Sequence, residues 1–219
     1  MERTPEPELM DDVEQARAYA QADFAEPNQA FVELVETKLA PLPRQAKVVD
    51  LGCGPADIPV QLSLRHPDFE IDAVDGSRAM LEHGARAVAQ TGARVQLHCA
   101  RLGEEALEAH RYDVVLSNSL LHHLHDPTLL WRSVRRLAAS GARVLVMDLA
   151  RPDTAERARA LVEQYAGGEP QVLRRDFLAS LHAAFTPDEV RAQLGEAGLS
   201  SLTVAATSDR HLSVWGVLG

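Results

Sequence analysis

The run Val48-Val49-Asp50-Leu51-Gly52-Cys53-Gly54-Pro55-Ala56-Asp57-Ile58-Pro59 constrains the chain more than any other stretch. Its apolar, β-branched start, Lys47 to Leu51, has the composition of a buried strand. Past the break, Val60, Leu62 and Leu64 restart an apolar periodicity. That is a strand, a tight turn and a helix. Two glycines at the turn let the backbone approach a ligand where a Cβ would block it, and Asp50 ends the strand beside them.

A glycine pair also occurs in turns that bind nothing, so the downstream context decides. Ile71-Asp72-Ala73-Val74-Asp75 reads as a second strand ending in an acid. It falls roughly 20 residues beyond the glycines, where a carboxylate meets a ribose diol in doubly wound nucleotide-binding sheets. Ser77 stands at the N-cap position of a helix to about Gln90, stopped by Gly92. Arg94 to Cys99, Tyr112 to Leu116 and Gly141 to Leu149 read as the third, fourth and fifth strands. Strands alternating with helices imply an α/β, mostly parallel sheet covered on both faces, with ligand at the strands' carboxyl ends. Leu202 to Ala206 and Leu212 to Val217 close the chain as two strands.

At these residues the sequence resembles the class I S-adenosylmethionine-dependent methyltransferases. The segments that carry the likeness are Val48 to Ala56, Val74 to Leu81, Tyr112 to Leu124 and the Gly141 to Asp148 strand. A dinucleotide dehydrogenase would want a third glycine at position 57, which is Asp, while Ala56 stands where the methyltransferase pattern often has glycine. The resemblance implies a doubly wound, mostly parallel seven-stranded sheet with an antiparallel last strand, helices on both faces and an N-terminal helical lid. It implies S-adenosylmethionine as cofactor and in-line methyl transfer to a nucleophile.

Carried onto this chain, the resemblance assigns Asp50, Gly52, Cys53 and Gly54 to the cofactor turn and Asp75 to the ribose hydroxyls. Gly76, Ser77 and Met80 would border the adenine. Arg101 and Leu102 stand where many members carry an Asp for the adenine amino group. An Arg cannot accept that hydrogen bond, so either the backbone there serves or the side chain stacks on the purine. Asn118, Ser119 and His123 would lie under the methionine end. The N-P-P-Y type of sequence of amino methylases is missing, since Asn118 is followed by Ser119, Leu120 and Leu121.

Three readings stay open for His122, His123 and His125 with Asp126: a structural turn that recurs in the family, a general base, or a metal ligand set. A base role follows from imidazole titrating near neutrality. His122 is taken as a candidate catalytic residue, together with Tyr19 of the lid, and no metal is expected. Candidate substrate contacts are Tyr19, Asp148, and Arg174 and Arg175 as a carboxylate clamp. Phe24 is the other lid aromatic.

One domain is expected, with residues 1–45 as the lid, 46–150 as the cofactor-binding core, 151–185 as a helical insertion over the substrate mouth, and 186–219 as the last helix and hairpin. The first eight residues, charged and Pro-containing, read as a loosely packed tip without chemistry. A helix is expected from Leu9 to Ala25 and another from Pro27 to about Leu39. A net charge of −10 without a long basic cluster disfavours nucleic acid. No apolar run approaches the ~20 residues that span a bilayer, and the acidic N-terminus is unlike a signal peptide. The chain therefore reads as cytoplasmic, away from membranes, with Cys53 and Cys99 reduced and buried. The expected function is methylation of a small molecule; a protein or RNA methyltransferase and a non-catalytic cofactor-binding module are the alternatives.

Overall fold

A computed structural model describes residues 1–7 and 25–219. The expected Leu9 to Ala25 helix, with Tyr19 and Phe24, falls outside the described residues except for Ala25. Helix α1 (Ala25–Lys38) leads to β1 (Lys47–Leu51), α2 (Asp57–Arg65), β2 (Glu70–Asp75), α3 (Arg78–Thr91) and β3 (Val95–Cys99). The chain then crosses back to β4 (Tyr112–Asn118), followed by a single 3-10 turn (Leu121–His123), α4 (Thr128–Leu137) and β5 (Ala138–Leu149). Helices α5 (Ala155–Ala166), α6 (Gln171–Ala183) and α7 (Pro187–Glu196) precede β6 (Thr203–Ala206) and β7 (His211–Val217).

The seven strands lie in the order β3-β2-β1-β4-β5-β7-β6. β1 to β5 pair in parallel, and β7 runs antiparallel to both β5 and β6. From β1 the chain winds outward to β3, then returns to start β4 on β1's other side. The β1/β4 seam is therefore the point where the winding reverses, which in open α/β sheets is where ligands bind.

Both faces of the sheet are apolar, as central parallel strands require. On one face Phe31, Val32 and Val35 of α1 and Leu62 of α2 pack on Val48, Leu116 and Leu145. On the other, Leu130, Trp131 and Val134 of α4 and Val190 and Leu194 of α7 pack on Val49, Val115 and Val146. Trp131 is fully buried, and its indole N–H donates to Gln193 Oε1 at 3.0 Å, so burial leaves no polar group unpaired. Thr186 and Glu189 close a reciprocal cap on α7.

The fold adds or corrects four local details. The post-strand segment with the histidines is a 3-10 turn, not part of a helix, because Ser119 turns the chain with φ +55° first. Cys99 is exposed rather than buried; only Cys53 is buried, and both are free thiols. Trp215 is half-buried, with the Lys38 ammonium 4.5 Å from its ring centroid. Residues 1–7 are not a loose tip: Arg3 donates to the carbonyls of Ala183, His122 and Leu124 at 2.5, 3.0 and 2.9 Å.

Candidate active site

β1 ends in a turn whose amides are held in place by the neighbouring strand: the N–H groups of Gly52 and Cys53 both donate to the Val74 carbonyl, at 2.8 and 3.0 Å. Gly52 has φ +76°, and a Cβ there would stand 2.8 Å from the Leu120 side chain. Glycine is required on both counts. Ala56, which starts α2, also sits at positive φ, +65°, and is fully buried. Room for it comes from Gly84 of α3, where a Cβ would lie 3.1 Å from the Ala56 Cβ. The chain tolerates alanine in the turn by removing a side chain from the helix opposite.

Asp75, at the end of β2, is bound by that same turn. Its Oδ2 accepts from Gly54 N–H at 2.8 Å and its Oδ1 from Ser77 N–H at 2.7 Å. Those two amides fix the carboxylate at the edge of the strands, where Asp75 lines a cavity. Ser77 caps α3 by accepting from Met80 N–H at 3.3 Å.

Between these strand ends and helices α5 and α6 lies a cavity of about 880 Å³, in the range of small-molecule sites. Every residue expected at the cofactor lines it: Asp50, Gly52, Cys53 and Gly54 from the first turn, and Asp75, Gly76, Ser77 and Met80 from the second. Arg101 and Leu102 follow from the loop after β3, and Asn118, Ser119 and His123 from the end of β4. The Arg101 loop is anchored from α4, where Arg136 donates to the carbonyls of Leu107 and Glu105 at 2.9 and 3.2 Å.

Two buried oxygens in this cavity stand without hydrogen-bond partners. Asp50 Oδ1 and Asn118 Oδ1 find no hydrogen bond among the described residues. Burial, reinforced by the charge of Asp75, pushes Asp50 up to about 7. An orphaned carboxyl at the bottom of a pocket is costly unless a ligand donor completes it. An α-ammonium group of the kind S-adenosylmethionine carries supplies such donors, so the residues present fit that cofactor.

At the far end, His122 is buried on the 3-10 turn, with Nδ1 2.5 Å from Asp148 Oδ1. Burial alone pulls the imidazole down, but the charge and hydrogen bond of Asp148 and the charge of Glu6 outweigh it and leave it raised. Asp148 is lowered, because His122 outweighs its own burial. Asp148 thus orients His122 and also accepts from the N–H groups of His122 and Leu149; it is not among the residues lining the cavity. His123, at a ring-centroid distance of 4.2 Å from His122, is pulled down to about 3 by burial and by its neighbour's charge.

The structure separates other candidates from the site. Arg174 pairs with Glu163 at 2.7 Å and Arg175 with Asp176 at 3.1 Å, and neither lines the cavity. The mouth is instead formed by Asp176, Phe177 and Ser180 of α6, Tyr165 of α5, and Arg210 and His211 leading into β7. Tyr19 lies outside the described residues. Sequence reasoning missed Glu6, whose carboxylate reaches both histidines, because nothing local to residues 1–7 signals a partner more than a hundred residues on.

Residues 48–142 match the family model described as a methyltransferase domain. That match marks residues 48–142 as a methyltransferase domain, and the chain shares its fold with S-adenosylmethionine-dependent methyltransferases of known structure. It is 33% identical over 136 residues to a trans-aconitate 2-methyltransferase of Methylobacterium nodulans, which covers 62% of this chain and 49% of that protein. It is also 33% identical over 93 residues to a release factor glutamine methyltransferase of Neisseria gonorrhoeae, covering 42% of this chain and 34% of that one. The matches span about half or less of these relatives' length. Among solved structures, a SAM-dependent methyltransferase from Aquifex aeolicus aligns over 95% of this chain and 99% of its own, with TM-score 0.70 and 15% identity. No described helix is long and apolar enough to cross a membrane.

Proposed function

We propose that the chain binds S-adenosylmethionine at the β1/β4 seam and transfers its methyl group to a small-molecule acceptor held beneath α5 and α6. The observation that carries this reading is the orphaned, buried Asp50 carboxyl in a cavity that the ends of β1, β2 and β4 share. Bound there, the cofactor supplies a sulfonium methyl open to in-line displacement.

Asp50 and Asn118 receive the ammonium end, and Asp75, held by two backbone amides, receives the ribose hydroxyls. Met80 and Leu102 flank the base. Holding nucleophile and methyl in line in a site with little water supplies much of the rate. Asp148 keeps the Nδ1 proton of His122 engaged and leaves Nε2, 3.5 Å from Glu6 Oε1, as the nitrogen that can take a proton from an acceptor that arrives protonated in the cavity His122 lines.

A small acceptor is favoured by the mouth itself, which α5 and α6 roof with Tyr165, Phe177 and Ser180. A net charge of −10 opposes a nucleic-acid substrate. The relative that acts on release factor glutamine raises a protein acceptor, but here Asn118 is followed by Ser119-Leu120-Leu121.

The test is calorimetric titration with S-adenosylmethionine and S-adenosylhomocysteine, repeated on Gly52→Val, followed by incubation of a metabolite extract and a protein fraction with methyl-labelled cofactor. Micromolar binding lost in the variant, with label entering small molecules, is expected. Label entering only protein overturns the acceptor class, and absence of binding overturns the whole reading.

A further inference from the structure

Glu6, His122 and His123 come together across more than a hundred residues of chain, and their ligand atoms all lie within 4.8 Å of one another. Glu6 Oε1 is 3.5 Å from His122 Nε2 and 3.2 Å from His123 Nδ1. Those separations match the edge of a tetrahedron about 3.4 Å long, which a dication with bonds of about 2.0–2.2 Å sets between its nitrogen and oxygen ligands.

The protonation pattern points the same way. Asp148 binds His122 at Nδ1, which fixes the tautomer and presents the Nε2 lone pair; a carboxylate behind a histidine is the usual support of a metal ligand. His123 bonds the Pro7 backbone, while its buried Nδ1 has no hydrogen bond although Glu6 Oε1 is 3.2 Å away. A neutral imidazole has one N–H. Spent on the Pro7 carbonyl, it leaves the Nδ1 lone pair facing the Glu6 carboxylate, whose Oε1 also accepts from Ser180 Oγ at 3.0 Å. A cation resolves that opposition.

We propose that Glu6, His122 and His123 bind a divalent transition-metal ion, zinc by its suitability for two imidazoles and a carboxylate. The negative charges of Glu6 and Asp148 together offset the dication. Arg3, whose charge opposes His122, has its Nε and Nη2 turned to main-chain carbonyls. With three protein ligands, the fourth position is left for water or an acceptor, as in catalytic rather than structural zinc sites. His122 and His123 line the cavity, so that position belongs to the acceptor end. The ion would acidify a coordinated acceptor, whose proton passes to solvent, in place of proton transfer to His122. The inference rests on the proposed function only for this last role; the binding itself does not.

The full chain, stripped with EDTA and dialysed, would be titrated with zinc by calorimetry and with cobalt(II) by visible absorption. One equivalent should bind with micromolar affinity or better, with the visible bands of a four- or five-coordinate nitrogen–oxygen site. Glu6→Gln and His123→Ala should abolish those bands, and Asp148→Asn should weaken binding by about 10–100-fold through loss of ligand support. Each variant's melting curve and its binding of S-adenosylhomocysteine separate site loss from misfolding. No binding at tens of micromolar zinc, or binding that survives both Glu6→Gln and His123→Ala, overturns the metal site. S-adenosylhomocysteine binding to the stripped protein tests the cofactor reading separately.

Discussion

His122 Nδ1 and Asp148 Oδ1 meet at 2.5 Å with both side chains almost completely buried, so neither charge has water to turn to. Removing one partner of such a pair costs about 3–5 kcal/mol, and Asp148→Ala should show that loss in urea unfolding. The raised His122 contributes stability that is full below its unfolded value and lost as pH rises through its folded one. The lowered Asp148 contributes stability present above its unfolded value and lost as pH falls through its folded one. The difference between wild type and variant should therefore be largest between about pH 4 and pH 6.5.

Gly52 and Gly54 share positive φ but not surroundings. A Cβ at Gly52 meets Leu120 at 2.8 Å, whereas one at Gly54 meets nothing within 4 Å. Gly54→Ala should cost only the left-handed strain, about 1–2 kcal/mol. Gly52→Ala should cost about 1–3 kcal/mol more from overpacking. Thermal unfolding of both, compared with their cofactor titrations, would check this; a larger stability loss at Gly54 contradicts the geometry.

Asp50 sits near 7 in the free protein. A cationic ligand favours the ionised carboxylate, so binding lowers that value and expels a proton at mildly acidic pH. Affinity for S-adenosylhomocysteine should rise with pH up to about 7 and level off before the ligand's own α-amino group loses its proton near about 8. Calorimetry in buffers of different ionisation heat should register the released proton, and Asp50→Asn should flatten the acidic limb.

Asp75 is committed to two backbone amides and faces the cavity, while Arg101 is an exposed side chain on its rim. Asp75→Ala should weaken cofactor binding by at least about tenfold, as for the loss of hydrogen bonds to a charged group. Arg101→Ala should change it by about twofold or less. Equal losses would remove the ribose role.

Arg174→Ala and Arg175→Ala should leave the unfolding midpoint and cofactor affinity nearly unchanged, within about 0.5 kcal/mol. Their partners, Glu163 and Asp176, are neighbours on the same pair of helices. A marked rise in KM for an acceptor in either variant would restore the clamp.

The gathering of the first two turns and the end of β4 around one cavity was legible because its signals are local. Gly52, Asp75 and Asn118 each end a strand, and a parallel sheet brings such ends to one edge whatever the loops do. Arg174 and Arg175 failed because helical charge composition does not say which way a side chain points, and the nearest acid takes it. Asp148 read as a substrate contact; only the packing of β5 beside the turn after β4 shows that it faces His122. Arg3 and Glu6 had no periodicity around them, and their meaning lies entirely in groups far along the chain.

That separation governs how the molecule is made. Arg3 binds the carbonyl of His122, 119 residues later, and that of Ala183, 180 residues later. A ribosome extends the chain at about 5–20 residues per second. The cofactor turns, closed by neighbours within one or two strands, can assemble while α6 is still unsynthesised. The histidine end cannot: Arg3 and Glu6, which brace it, must wait for most of the polypeptide to emerge. Translation thus orders the two ends of the cavity in time, with the Gly52 and Asp75 turns formed first and the histidine end completed only after helices α5 and α6 exist.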